Sequence, residues 1–185
     1  MLAGKLVRLR PVEASDLDDW CVWFNDREVT RFLGGSARYP TSRAAEEEWF
    51  ATAKLQTSPP EVSLQIDTLD GRHIGGVGLH GVSLENRDAS LGITIGDKDY
   101  WSHGYGTDAI LTLLRFAFDE INLNRVWLTV HEDNLRGIGC YRKCGFVEEA
   151  RPRQNRYRAG RYWDTIVMGV LAGEFRALHS AEAGA

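Results

Sequence analysis

Trp101-Ser102-His103-Gly104-Tyr105-Gly106-Thr107-Asp108-Ala109 stands between a strand-like run and the most strongly patterned helix of the chain. Ile110, Leu113, Leu114, Ala117 and Ile121 follow at i, i+3, i+4, i+7 and i+11, and Leu111 and Phe118 widen the apolar face. Two glycines let the backbone approach a ligand closely. The free N–H groups of the helix's first turn and the positive end of its dipole then point at that ligand. The arrangement is an anion site whose natural occupant is a pyrophosphate. A ligand-free glycine turn is the competing reading, and glycine count alone leaves the two balanced.

Gly104-x-Gly106-x-x-Ala109 also matches the dinucleotide fingerprint, and the acidic pair Glu132-Asp133 follows the next strand. A nicotinamide or flavin oxidoreductase is therefore a rival. Context argues against it. A Rossmann turn joins strand to helix tightly, whereas Asp97 to His103 intervene here, and about fifty residues after Glu132 leave little room for further parallel βαβ units. A kinase-type phosphate loop fails because no Gly-Lys-Ser/Thr follows.

A second motif runs from Asn134 through Arg136, Gly137, Ile138 and Tyr141 to Gly145-Phe146. Asn134, Ile138 and Tyr141 are spaced 4 and 3 apart and are expected on one helical face. Asn134 and Tyr141 would lie roughly 10 Å apart along the axis. An elongated ligand could meet an amide at one end and a phenol at the other. Taken singly, Asn134 is also a good N-cap and Tyr141 a good packing residue.

Around these motifs the chain reads as one domain. It has 185 residues, 43% hydrophobic and 26% charged, with a formal net charge of −4. That balance offers no general electrostatic pull toward nucleic acid or an anionic membrane. No apolar run approaches the roughly 18 residues of a membrane span, and no signal-peptide pattern opens the chain. Cys21, Cys140 and Cys144 cannot pair completely and fit no zinc spacing, so reduced thiols in a cytoplasmic protein are expected, with no metal.

Lys5 to Arg10 alternates as a strand. Ser15 is expected to cap a helix carrying Leu17, Trp20, Trp23 and Phe24. A second helical stretch is expected near Arg27 to Leu33, broken at Gly34-Gly35. Thr41 would cap another helix that ends before Pro59-Pro60. Val62 to Thr68, Ile74 to Val82 and Ala89 to Ile95 form an antiparallel meander with a hairpin turn at Asp70-Gly71. Arg125 to His131 is a strand, and a short helix after Asn134 ends at Gly145. Phe146 to Ala150 and Tyr162 to Leu171 are final strands flanking an Ala159-Gly160 turn. The domain is expected over residues 1–172 and a tail over 173–185, frayed from Ala172 onward. The fold class is mixed α/β (α+β) around one sheet.

Gly92 to Phe146 resembles the GNAT superfamily of acetyl-CoA-dependent N-acetyltransferases. Lys5-Leu6-Val7-Arg8-Leu9-Arg10, Trp20 to Asn25 and Gly160-Arg161-Tyr162-Trp163-Asp164 are similar to the start and end of the branch with ribosomal-protein N-terminal and spermidine acetyltransferases. The resemblance implies a mostly antiparallel sheet of about seven strands, splayed between its fourth and fifth strands, one ending near Gly96 and the other near His131. Acetyl-CoA would lie in the opening as cosubstrate. Backbone N–H groups from Ser102, His103, Gly104, Tyr105, Gly106 and Thr107 would hold its pyrophosphate. Main chain at Ile93, Thr94 and Ile95 would pair with pantetheine like an added strand. Asn134 would bond the pantetheine, with Ile138 on the same face, and Tyr141 would meet the sulfur. Trp101 stands where the superfamily often has Gln or Arg, which removes one side-chain contact to phosphate. Relatives are often homodimers.

Attack on a thioester needs a neutral amine, and an alkylamine with pKa near 10 is neutral in only about one molecule in a thousand at pH 7. The oxyanion needs N–H donors, most simply from backbone near Ile93 to Ile95. Full proton transfer from a free Tyr to a thiolate is uphill by roughly 2 kcal/mol, so Tyr141 is expected to act mainly by hydrogen bonding. Relatives often carry Glu where this chain has Ser90. Ser90 could hold a water. His80 on the neighbouring strand is the candidate base, ahead of His131, with Glu85 read as a solvated turn acid. Trp20, Trp23, Phe24 and Asp26 are candidates to line the acceptor side, although such a stripe is also ordinary core. The basic run Arg151 to Arg158 reads as a solvated hairpin face rather than an RNA site. The expected function is acetyl transfer to a primary amine, with polyamine, aminosugar, antibiotic and protein N-terminus all open as acceptors. A CoA-binding regulator without catalysis, prompted by Ser90, is the alternative.

Overall fold

The computed structural model of the protein describes residues 1–34, 37, 39–53, 57, 58 and 61–179. Period-two alternation and β-branched residues build its strands: β1 (Leu2–Ala3), β2 (Val7–Arg10), β3 (Thr57–Ser58), β4 (Glu61–Thr68), β5 (His73–Ser83), β6 (Asp88–Ile95), β7 (Arg125–His131), β8 (Val147–Ala150), β9 (Arg156–Arg158), β10 (Arg161–Trp163) and β11 (Thr165–Leu171). The helices are α1 (Leu17–Trp23), α2 (Arg43–Ala53), α3 (Tyr105–Arg115), α4 (Leu135–Lys143) and α5 (Ala172–His179).

The main sheet runs β1-β2-β4-β5-β6-β7-β11-β8, with β3 paired to β4. Its seven longer strands are the expected seven; the two-residue β1 and β3 add to them. Neighbours are antiparallel except β6 and β7, which run parallel. The expected meander is β4-β5-β6.

On one face, α3 buries Ile110, Leu113 and Leu114 completely, and the π-helical turn that follows it, Phe116–Glu120, buries Ala117, in one core with Leu9, Ile66, Leu79 and Leu128. A Leu removed from such a site costs about 2–5 kcal/mol. Strand alternation sends Gln65 to the opposite face from Ile66. There Trp20 of α1 donates Nε1–H to Gln65 Oε1 at 2.8 Å. Trp20 lies directly on Gly76, where a Cβ would come within 2.8 Å of its ring. At the start of α3, the buried Asp108 carboxylate accepts N–H bonds from Lys5 (3.1 Å), Leu6 (2.7 Å) and Val7 (3.1 Å), which ties the first strands to the helix.

Four local expectations are corrected. Ser15 lies inside a short 3-10 turn, Ala14–Asp16, and Asp16 accepts the Glu13 N–H at 2.8 Å in its place. The stretch from Arg27 to Leu33 shortens to a single turn, Thr30–Phe32. Ala159-Gly160 closes a separate two-stranded ribbon, β9–β10, rather than joining the last sheet strands, because β8 pairs directly with β11. Residues from Ala172 form α5 instead of a frayed tail, held by the buried Phe175 against Phe118. Gly35, Pro59, Pro60 and residues 180–185 lie outside the described residues.

Candidate active site

β6 and β7 pair at three positions, Asp88–Arg125, Ala89–Val126 and Ser90–Trp127. Beyond Ser90 the two strands part. β6 continues to Ile95 against β5 alone. Gly96 donates to the Ile74 carbonyl at 2.9 Å, which makes Gly75–Ile95 a non-hydrogen-bonded pair. Alternation then turns the peptide groups of Ile93 and Ile95 into the gap and those of Gly92 and Thr94 toward β5. The expectation that Thr94 offers its main chain to the gap is thereby corrected. The Ile95 carbonyl already accepts Trp101 Nε1–H at 2.7 Å. Ile93 is left as the least encumbered peptide edge there.

A cavity of about 390 Å³ fills the space between this edge, the start of α3 and one face of α4. Ser102 (φ 65°) and Gly104 (φ 92°) take left-handed backbone conformations to make the turn into α3. Gly104 has no side chain to cap the helix, so the first-turn N–H groups at Gly106 and Thr107 are left facing the cavity. Ser102, Gly104, Gly106 and Thr107 line it together with Ile93, Ile95 and Trp101. His103 is exposed and outside the lining, as is Tyr105, whose ring stacks edge-on with the lining residue Tyr100 at 5.1 Å.

Asn134 caps α4 by accepting the Gly137 N–H at 3.0 Å and lines the cavity. Ile138 is 5% exposed and belongs to the core, a correction to its expected place on the ligand face. Besides Leu135, Gly137 and Tyr141, α4 lines the cavity with Arg136, Gly139, Cys140 and Lys143. Their i, i+3, i+4, i+7 spacing was the available signal, hidden because the residues are mixed in polarity. The Arg136 guanidinium stacks 3.7 Å from the Trp101 ring centre, and burial lowers its pKa. Trp101 thus contributes no polar phosphate contact itself but presents an arginine at the cavity.

A second cavity, of about 480 Å³, opens on the other side of the gap. Ile93 and Tyr141 line both. The Tyr141 ring packs edge-on against Phe146 at 6.0 Å, and its hydroxyl makes no hydrogen bond to the described residues. Burial, then the neighbouring Cys140 and Cys144, push its pKa up. Cys144 Sγ donates to the Thr107 carbonyl at 3.7 Å, and Thr107 Oγ1 lies 3.3 Å from Cys140 Sγ. The neighbouring Cys144 thiol and Thr107 lower the pKa of Cys140, while the nearby Cys140 and burial raise that of Cys144.

Trp20, Phe24 and Trp49 wall the second cavity. Trp23 instead packs in a small separate cluster with Trp20 and Val29, and Asp26 pairs with Lys98 at 2.8 Å, so neither lines it. His80 and Ser90, a cross-strand pair, both line it. Ser90 Oγ donates to the His80 carbonyl at 3.2 Å. His80 Nδ1 lies 2.7 Å from Glu61 Oε2, and Glu61 Oε1 accepts the Gly81 N–H at 3.0 Å. His80 Nε2 lies over Gly92, where a Cβ would come within 3.0 Å. The sequence reading missed Glu61, which reaches His80 through the β4–β5 register. Glu85 is exposed in a turn outside the lining, and His131 is buried at the far end of the cavity. The basic run is not a solvated face throughout: Arg151 pairs with Glu148 at 3.1 Å, but Arg156 and Arg158 are half-buried and line a third cavity beside the second. Among the described residues, no group of three or more His, Cys, Asp or Glu side chains is placed to hold a metal ion, and no helix is long and apolar enough to cross a membrane.

A parted pair of parallel strands with a glycine turn at one end and a tyrosine at the meeting of two cavities defines an acetyltransferase architecture. Residues 7–147 match the acetyltransferase (GNAT) domain, and the chain belongs to that family; it is an acyltransferase that moves an acetyl group to an amine. Among its relatives is the uncharacterized N-acetyltransferase p20 of Bacillus licheniformis, 26% identical over 168 residues, 90% of this chain and 93% of that one. The putative ribosomal N-acetyltransferase YdaF of Bacillus subtilis is 31% identical over 106 residues, 57% of each chain. The crystal structure of spermidine N-acetyltransferase from Vibrio cholerae, in complex with CoA and spermine, superposes with a TM-score of 0.82 at 25% identity, over 91% of this chain and 97% of that one.

Proposed function

We propose that the protein takes acetyl-CoA into the α3–α4 cavity and an amine into the second cavity, and that the two react where the cavities meet. The observation that carries this reading is the position of Ile93 and Tyr141 in the lining of both. The presence of CoA and a polyamine in the Vibrio cholerae relative supports it. The α3 first-turn N–H groups, Arg136 and Lys143 supply positive potential for the diphosphate. Ile93 offers a backbone edge to pantetheine and the N–H that would stabilise the oxyanion.

His80 takes the proton that the acceptor ammonium must lose, directly or through a water at Ser90, while Glu61 fixes the imidazole through Nδ1 and leaves Nε2 toward the cleft. The amine lone pair then attacks the thioester carbonyl. The C–N bond forms, the C–S bond breaks, and the thiolate leaves as CoA. Tyr141 hydrogen-bonds the departing sulfur. Its raised pKa keeps the phenol protonated, so it stabilises the thiolate without surrendering its proton. Three free thiols fit a reducing, cytoplasmic setting.

Calorimetry with CoA, paired with thiol release from acetyl-CoA over an amine panel, tests the reading. Tyr141→Phe should lower kcat on the order of 100-fold while acetyl-CoA affinity stays within about threefold. Absence of heat with CoA, or equal losses in both quantities, would overturn it.

A further inference from the structure

The acceptor cavity continues into a third cavity of about 330 Å³, and Leu33, Gly34, His131 and Arg156 line both. The third cavity is also lined by Arg27, Arg31 and Arg158. Among the described residues, no Asp or Glu lines either space. The nearby carboxylate of Asp133 bridges Arg158 at 3.0 Å and Arg31 at 3.4 Å, so one negative charge serves two guanidinium groups. Arg158 Nη1 is buried and makes no hydrogen bond to the described residues.

Arg156 is the pivotal residue. It is half-buried, its guanidinium lies against Gly34, where a Cβ would come within 3.2 Å of Nη1, and it makes no ion pair among the described residues. A guanidinium withdrawn from water without a carboxylate is costly, and its fork of donors matches a carboxylate or phosphate. A polyamine brings several positive charges and would need carboxylates along this path.

We infer that the acceptor is a small primary amine that carries an anionic oxygen group, a carboxylate or a phosphate, seated against Arg156 and Arg158 while its amine reaches His80 and Tyr141. This rests on the acetyl-transfer reading above and names its substrate class. The inferred acceptor therefore differs in charge from the spermine held by the Vibrio cholerae relative, although the two share a fold.

The test is thiol release from acetyl-CoA with matched acceptors: 6-aminohexanoate against 6-aminohexanamide, glucosamine 6-phosphate against glucosamine, and spermidine alone. The anionic member of at least one pair should have the higher kcat/KM, by about tenfold or more, expressed in KM and shrinking with added salt. Which pair shows the preference tells carboxylate from phosphate. Arg156→Gln should bring that ratio near one, and Arg156→Lys should keep most of it. CoA calorimetry reports whether each variant is folded, and the wild-type ratio stands as a test whatever the variants do. Ratios at or below one in both pairs, a preference that survives Arg156→Gln in folded protein, or spermidine as the best acceptor would overturn the inference and leave acetyl transfer intact. No thiol release with any amine, together with no heat from CoA, would remove both.

Discussion

Glu61 and His80 are nineteen residues apart in sequence, yet Glu61 Oε2 lies 2.7 Å from His80 Nδ1 on adjacent strands. One strand carries the imidazole to the second cavity and the next holds its Nδ1. In the proposed reaction this pair supplies the proton acceptor that the Ser90 hydroxyl cannot be unaided.

His80→Gln should lower kcat/KM at pH 7 on the order of 100-fold, and Glu61→Gln by about tenfold, since Glu61 acts through the imidazole. The deficit should shrink as pH approaches the amine's own pKa near 10, where the acceptor arrives already neutral. A deficit that stays constant from pH 7 to 10, followed by thiol release, would show that the pair serves structure and not proton removal.

Gly139 occupies the middle of α4 with nothing within 4 Å of where its Cβ would stand, and it lines the α3–α4 cavity. Glycine in a helix interior costs about 1 kcal/mol relative to alanine, so local stability does not explain it. Gly139→Leu should leave the melting temperature unchanged or higher and weaken CoA binding by at least about tenfold. Thermal melts and calorimetry on the same variant separate the two effects.

Asp16 is 3% exposed and accepts Arg10 Nη1 at 2.8 Å and Nη2 at 2.7 Å. Burial alone would raise its pKa; the bonds from Arg10 and the Glu13 N–H outweigh that and lower it. A carboxyl with a lowered folded pKa adds stability that is present above its unfolded value, near 3.9, and is lost as pH falls through the folded value. Asp16→Asn should therefore cost about 2–4 kcal/mol at pH 7 in urea unfolding, with the gap to wild type closing progressively below about pH 4.

Cys140 lines the α3–α4 cavity with a lowered thiol pKa, whereas Cys144 is buried with a raised one. At neutral pH iodoacetamide should modify Cys140 well before Cys144, and CoA should slow that reaction. Peptide mapping reads both. Modification of Cys140 at the same rate with and without CoA would place the cofactor elsewhere.

Much of the fold was legible because it rests on local periodicity. The apolar stripe from Ile110 to Phe118, the three meander strands and the glycine turn each declare themselves within about a dozen residues. The lining of the candidate site was legible where one segment supplies it, as at Gly104, Gly106, Thr107 and Tyr141. It was opaque where registers assemble it. Glu61 meets His80 through strand pairing, and Arg156 comes to Gly34 from a ribbon whose placement no pattern in its own sequence announces. The α4 face was misassigned at Ile138 because a core residue and a cavity residue can share the spacing of one helix. The stretch from Arg27 to Leu33 read as helix, but it is held by distant partners: Arg31 goes to Asp133, and the preceding Asp26 pairs with Lys98.

The parting of β6 from β7 after Ser90 has a mechanical consequence. It divides the sheet into a six-strand block, β1 to β6, and a three-strand block, β7, β11 and β8, sewn together by a short seam. A molecule lodged in the gap touches both blocks and works as a clamp, so occupancy should tighten the whole domain. Amide exchange along β7, slowed by CoA at a distance from any contact, would be the signature of that stiffening.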